Sequence, residues 1–354
     1  MAIQAPFRDL PDSEKLEGGA GRRATFSLSG ISRRLSGVSE IEALITLIAV
    51  FREIMNVSSS QFRTQRCRFG NIAKRGVPIQ GAKMALKDVQ DLFCGSGRET
   101  IDLHFKIVRD IGAHTVALFA VSVPDGFDHF ELAGSGTLVT TGDSYWILTA
   151  AHVWIEKLKG AKTLGISLRT NTNHHFPMEI DTIAACGLDI PGKWNEWGPD
   201  LMLLRIPPVH VGTIEANKSF FYLGPQSRPP LKTDHLETSF LLGCPYDLGT
   251  YTQVHADVEI RGFPVNEMGN HIHGGIDYLD VDAYVHDPST MKSLGGVSGG
   301  GLWKVKIFID HSTGKPDWVL DLEGVAFWGF PIDGTKAIVR CHALESIRSA
   351  ISRC

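Results

Sequence analysis

Trp146-Ile147-Leu148-Thr149-Ala150-Ala151-His152-Val153 is an apolar strand that ends in small residues and a histidine. The turn Thr141-Gly142-Asp143 precedes it, and Gly134-Ser135-Gly136-Thr137-Leu138-Val139 stands before that turn. Working outward, the same texture recurs on both sides. Thr115–Val123, Gly134–Thr140, Tyr145–Thr149, Leu201–Ile206, Phe240–Gly243, Asp257–Arg261, Tyr278–Tyr284, Val305–Ile309 and Gly324–Trp328 are short runs rich in branched and aromatic residues. Gly, Pro, Asp and Asn separate them. Strands at this spacing predict a mainly β, antiparallel sandwich or barrel. A closing helix is predicted near 342–353, where Leu344, Ile347 and Ile351 share one face.

The chain has 354 residues, enough for two domains or for one large all-β domain with an extension. Its 37 glycines fit many tight turns better than a helical bundle. Charge divides unevenly. Residues 1–110 carry 17 Lys/Arg against 12 Asp/Glu, and the other 244 carry 18 against 27. An acidic body argues against nucleic acid as the partner of the main domain, because phosphate binding needs clustered cations. The basic cluster within 57–81, with Arg63, Arg66, Arg68, Lys74 and Arg75, reads as a solvated face. The first 110 residues read as an extension: a Gly/Ser/Arg-rich arm over 1–38, an amphipathic helix over 39–56, and short helices over 83–93 and near 101–109.

No run of 18 apolar residues suggests a transmembrane helix. Ser32-Arg33-Arg34 ahead of Ile41–Phe51 has some likeness to a twin-arginine export signal, but Glu40 and Glu42 stand where that signal needs apolar residues. The six cysteines are widely spaced and form no CxxC pair, so scattered thiols in a reducing cytoplasm are expected, with export by an atypical signal as the alternative. His271-Ile272-His273 and the adjacent His174-His175 lack a third ligand, so no metal is expected. No organic cofactor is expected either.

Gly295-Gly296-Val297-Ser298-Gly299-Gly300-Gly301 wraps a serine in glycines. Such backbone bends sharply and lets neighbouring N–H groups converge on one point, as an oxyanion requires. The segment formally matches the G-x-S-x-G elbow of α/β-hydrolases. That elbow should lead into a helix, yet Leu302-Trp303 leads into the strand-like run Lys304–Ile309. Asp333 and His342 are available after the serine, but little fold remains to hold them.

Together, the His152 and Ser298 segments make the chain resemble the trypsin/chymotrypsin-like serine peptidases, over roughly residues 111–354. Gly198-Pro199-Asp200-Leu201-Met202-Leu203-Leu204 is similar to the family's aspartate strand, with Met202 in place of the usual alanine; Asp189 and Asp181 are weaker rivals. Leu322-Glu323-Gly324-Val325-Ala326-Phe327-Trp328-Gly329 looks like the strand that pairs with substrate backbone, with Phe327 in place of the common serine that supports the aspartate. The order His152, Asp200, Ser298, with gaps of 48 and 98 residues, also resembles the family's.

The resemblance implies two antiparallel six-stranded β-barrels with the cleft between them. It implies a protein or peptide substrate, a triad of His152, Asp200 and Ser298, and an oxyanion hole from the N–H groups of Gly296 and Ser298. Trp328 and Gly329 would contact the substrate. Lys292 would stand at the floor of the primary pocket and favour acidic side chains. Val297 replaces the aspartate that pairs with a freed N terminus in zymogen-derived relatives, so no activating cleavage is expected. Val153 stands where many extracellular relatives carry a disulfide cysteine. Two other readings keep different chemistry: an inert barrel that binds peptides or proteins, and a serine esterase.

Overall fold

The strand texture that begins at Thr115 resolves into two β systems in a computed structural model, which describes residues 86–93, 98–122, 129–168, 175–189, 197–224, 234–252, 255–285 and 288–354. The predicted arm over 1–38, the helix over 39–56 and the basic cluster within 57–81 lie outside the described residues.

The first system holds β1 (Thr115–Ser122), β2 (His129–Thr140), β3 (Tyr145–Thr149), β4 (Thr163–Ser167), β5 (His175–Glu179), β6 (Ala184–Asp189) and β7 (Asp200–Arg205). They form an antiparallel sheet in the order β5-β4-β1-β2-β3-β7-β6, and short β8 (Phe221–Tyr222) runs parallel to β2. The second system holds β9 (Leu236–Gly243), β12 (Arg261–His273), β13 (Ile276–Tyr284), β14 (Gly301–Asp310), β15 (Lys315–Gly329) and β16 (Lys336–Ala343), which close into a six-stranded barrel. A small hairpin of β10 (Thr250–Thr252) and β11 (His255–Asp257) lies between β9 and β12. The strand expected over Asp257–Arg261 is therefore the gap between β11 and β12.

Of the two closed barrels expected, the described residues show one, and the other system is a sheet that stays open among them. The opening falls between β5 and β6, which the 3₁₀ turn Ile180–Thr182 connects. β5 carries Pro177, which has no N–H to give a further ladder, and it buries only Met178. Such a strand suits an edge.

Four helices accompany the strands: α1 (Leu86–Phe93), α2 (Arg98–Gly112), α3 (Pro208–Glu215) and α4 (Leu344–Arg353). α2 buries Thr100, Leu103, His104, Ile107 and Ile111, a stripe at three- and four-residue spacing. Leu103, Ile107 and Ile111 pack in one cluster with Leu148 and Leu203 of the sheet and Phe240, Leu242 and Trp303 of the barrel. The boundary expected near Ile111 thus falls inside a helix that covers the join of the two systems. The barrel has its own core of Leu241, Phe263, Val281, Val297, Leu302 and Cys341.

One cysteine expectation changes. Cys186 of β6 and Cys354, just beyond α4, form a disulfide with Cα atoms 6.0 Å apart, while Cys244 and Cys341 are free and buried. Residues 168 positions apart carry no sequence signal of pairing; the docking of α4 against β6 brings them together. In the chain-entropy view a loop of that length stabilises the fold by about 5 kcal/mol. Cys354→Ser is expected to lower the thermal midpoint, and reductant should lower that of wild type but not of the variant. A Cys354→Ser protein as stable as oxidised wild type would show that the bond contributes nothing.

Candidate active site

β3 ends at Thr149, and the fully buried Ala150 and Ala151 carry the chain into a π-helical turn over Val153–Leu158, with His152 at its entrance. β7 lies antiparallel beside β3, with Thr149 opposite Met202, so the start of β7 adjoins the end of β3. Asp200 is 1% exposed, and both of its oxygens are used. Oδ1 accepts the backbone N–H of His152 at 2.8 Å, and Oδ2 accepts Nδ1–H of the imidazole at 2.6 Å. A carboxylate can only accept here, so the proton sits on Nδ1 and Nε2 is the basic nitrogen. Asp189 stands opposite Asp200 in the β6–β7 ladder and Asp181 is exposed in the turn before β6, so the carboxylate on His152 is that of Asp200.

Ser298 lies in the loop ahead of β14, partly exposed between buried Gly296, Val297, Gly299 and Gly300. Its carbonyl accepts Ser135 N–H at 2.8 Å, and the Ser135 carbonyl accepts Thr149 Oγ1–H at 2.8 Å. A methyl placed on Gly134 would lie 2.8 Å from Val153 Cγ2 and 3.0 Å from the Ser298 carbonyl oxygen. The residue after His152 and the backbone of Ser298 therefore meet over Gly134. The fold brings the three expected residues to one join between sheet and barrel.

The loop's N–H groups divide sharply. Val297 N–H goes to Leu294 O at 3.1 Å, Gly299 N–H to Ala326 O at 2.7 Å and Gly300 N–H to Val297 O at 2.7 Å. Those of Gly296 and Ser298 have no acceptor among the described residues. Gly296 sits at φ +89°, and a side chain there would overlap the Cys244 carbonyl. That backbone suits glycine alone.

Trp328 and Gly329 end β15, where its pairing with β14 has stopped at Val325. They border a depression beside Ser298 together with Leu294, Val297, Ala326, Phe327 and Val339. The lining carries no charged side chain, and the space holds roughly one water molecule. Lys292 is exposed and does not line this depression; its backbone N–H donates to Asp247 Oδ2 at 2.8 Å. The lining gives an acidic preference no support. Val297 is buried in the barrel core.

His342, available in the sequence only as a base for the rival hydrolase order, backs the aspartate instead. Its Nε2 accepts the backbone N–H of Asp200 at 3.1 Å. Its ring stacks on Phe327 with centroids 4.4 Å apart, so Phe327 lends shape where a serine was missing. Tyr278 tilts against the same ring and donates its hydroxyl to Trp197 O at 2.5 Å. With Nε2 accepting, the proton of His342 sits on Nδ1, which is buried without a partner. The contact comes from a strand 142 positions away, so no local motif announces it.

The remaining histidine candidates are engaged elsewhere. His271 Nε2 lies 3.2 Å from Asp280 Oδ2, a carboxylate already held by Arg340 at 2.7 and 2.8 Å. His273 stacks on Trp197, and His175 packs against Phe119 and Phe130. His174 lies outside the described residues. Among the described residues no group of three metal-type ligands exists, and no helix is long and apolar enough to cross a membrane.

No protein-family model matches the chain, and no curated protein matches it. The closed barrel and the β-rich fold are compatible with a chymotrypsin-like architecture.

Full burial pushes the His342 imidazole down to about 4, against the opposing pull of the Asp200 charge. An unfolded histidine protonates near pH 6.5, so between 6.5 and 4 the unfolded chain binds the extra proton. Stability from this group is complete above pH 6.5 and falls by about 3 kcal/mol as the pH drops to 4. His342→Gln keeps an acceptor for Asp200 N–H but cannot titrate, so urea unfolding of the variant should show a shallower loss over that window. Identical pH slopes for the two proteins would show that His342 does not titrate as its burial dictates.

Proposed function

We propose that the chain is a serine endopeptidase of the trypsin/chymotrypsin type. The observation that carries this reading is the double contact of buried Asp200 with His152, at the same join as a serine loop in which the N–H groups of Gly296 and Ser298 have no acceptor among the described residues.

In this reading Ser298 Oγ attacks the scissile carbonyl while His152 Nε2 takes its proton. Asp200 holds the imidazole in the tautomer that leaves Nε2 basic and stabilises the imidazolium that forms. The carbonyl oxygen, now negative, settles between the N–H groups of Gly296 and Ser298; each such donor is worth about 100- to 1000-fold in rate. His152 then returns the proton to the leaving amine, and water hydrolyses the acyl-enzyme by the same steps reversed. At Trp328 and Gly329 the side of β15 that β14 has left, opposite its pairing with β16, would add substrate backbone to the sheet. The chemistry calls on side chains and backbone alone.

The depression beside Ser298 favours a small apolar side chain before the scissile bond, because a charge entering it would lose water without gaining a partner. Peptides with Ala or Val at that position should be cleaved at least about tenfold faster, in kcat/KM, than those with Lys, Arg, Asp or Glu. Equal cleavage of all classes would remove the depression from the specificity site.

Fluorophosphonate labelling and peptide hydrolysis test the assignment on the full-length protein with its N terminus intact. Ser298→Ala and His152→Ala should abolish both, and Asp200→Asn should lower kcat by about 10⁴. Unchanged labelling in the first two variants would refute the triad, and labelling that begins only after N-terminal cleavage would refute the role given to Val297.

A further inference from the structure

We infer that the hydroxyl of Ser135 is the positioning group that keeps the oxyanion site open, an inference that rests on the peptidase reading above. Every peptide carbonyl from Gly295 to Ser298 has a donor. Gly295 O takes the N–H of Tyr246 at 2.8 Å, Gly296 O takes Ser135 Oγ–H at 2.6 Å, Val297 O takes Gly300 N–H at 2.7 Å, and Ser298 O takes Ser135 N–H at 2.8 Å. Two of these four clamps come from one residue of the neighbouring sheet.

A trans peptide sets its C=O and N–H on opposite edges. Pinning the Gly295 and Val297 carbonyls therefore turns the N–H groups of Gly296 and Ser298 the other way. The peptide between these two units, Gly296–Val297, decides whether they point together, and its carbonyl is the one that Ser135 Oγ holds. A hydroxyl has one proton to give. Ser135 Oγ also accepts Cys244 N–H at 2.8 Å, which spends a lone pair and leaves the proton directed at Gly296 O. Ser135 is fully buried, so water has no access to substitute for it. Gly296, with no side chain and φ +89°, has nothing of its own to fix it. The N–H of the same peptide, that of Val297, is held within the loop by Leu294 O at 3.1 Å, and the Val297 side chain adds apolar packing. The hold on the Gly296 carbonyl thus comes from across the join.

Thr137 supplies a matched control. Its Oγ1 donates to Gly299 O at 3.0 Å from the same strand, and it is equally buried, but that carbonyl lies beyond the two free N–H groups. Ser135→Ala is expected to lower kcat about 100-fold with KM changed less than about threefold, the signature of a lost transition-state interaction. Affinity for a peptidyl boronate, whose adduct carries a tetrahedral oxyanion, should fall by a similar factor. Thr137→Val should keep kcat within about threefold while losing a buried hydrogen bond of the same kind. If wild type is active and Ser135→Ala loses no more kcat than Thr137→Val, the inference is overturned and the peptidase reading stands. Wild type without Ser298-dependent turnover overturns both. Should Ser135→Ala fail to fold, a crystal structure of the wild-type boronate adduct decides. The expected result is the Ser135–Gly296 contact intact with the boronate oxygen on both N–H groups, and a broken contact overturns it.

Discussion

Two stretches of backbone meet with almost nothing between them: β2 at Gly134–Ser135–Gly136, and the loop that carries Ser298. A side chain at Gly299, which sits at φ +93°, would overlap the Ser135 carbonyl and press on Thr149 Oγ1. That closeness lets Ser135 bond to both Gly296 and Ser298 with its own backbone and hydroxyl. It also links Ser298, through Ser135, to Thr149 at the end of the strand that leads to His152. The join between sheet and barrel is therefore made at the site itself.

Around Asp200 the constraint is different. A buried carboxylate must have its charge answered, and here His152 answers it twice, from backbone and ring. Behind it stands a neutral ring, His342, wedged by Phe327 and Tyr278. The aromatic packing keeps that ring dry, and dryness keeps it uncharged. The aspartate's backbone thereby gains an acceptor without a rival cation beside its carboxylate. A second cation behind Asp200 would compete with the imidazolium that the proposed mechanism needs in front.

Much of this was legible from residue order because it is local. Apolar alternation from Thr115 onward reports strands, since a pleat presents every second residue to the core. Tyr145–Thr149 became β3 with the expected bounds, and the run near 342–353 became α4. Glycines around Ser298 announced backbone that no other residue could adopt, and Gly296 has that conformation. The larger misses were long-range. Closure of a second barrel depends on whether two edges find each other, which no strand's own pattern states. Cys186 and Cys354, like Asp200 and His342, are partners only because distant elements dock. Lys292, placed by counting back from Ser298 along the loop, is exposed and does not line the depression beside Ser298.

Residue chemistry in order, then, was enough to select His152, Asp200 and Ser298 and to nominate two N–H groups, because a nucleophile, a base and an acid need particular side chains and an oxyanion loop needs glycine. The direction of each polar group was settled by packing across the join. How the Gly296 and Ser298 N–H groups point depends on where the loop's carbonyls are tied, and two of those ties, at Gly296 O and Ser298 O, reach across more than 100 residues to Ser135. Hydrogen bonds act over about 3 Å in space and are indifferent to separation along the chain. Only the folded arrangement could therefore show which donors are spent and which remain for a substrate.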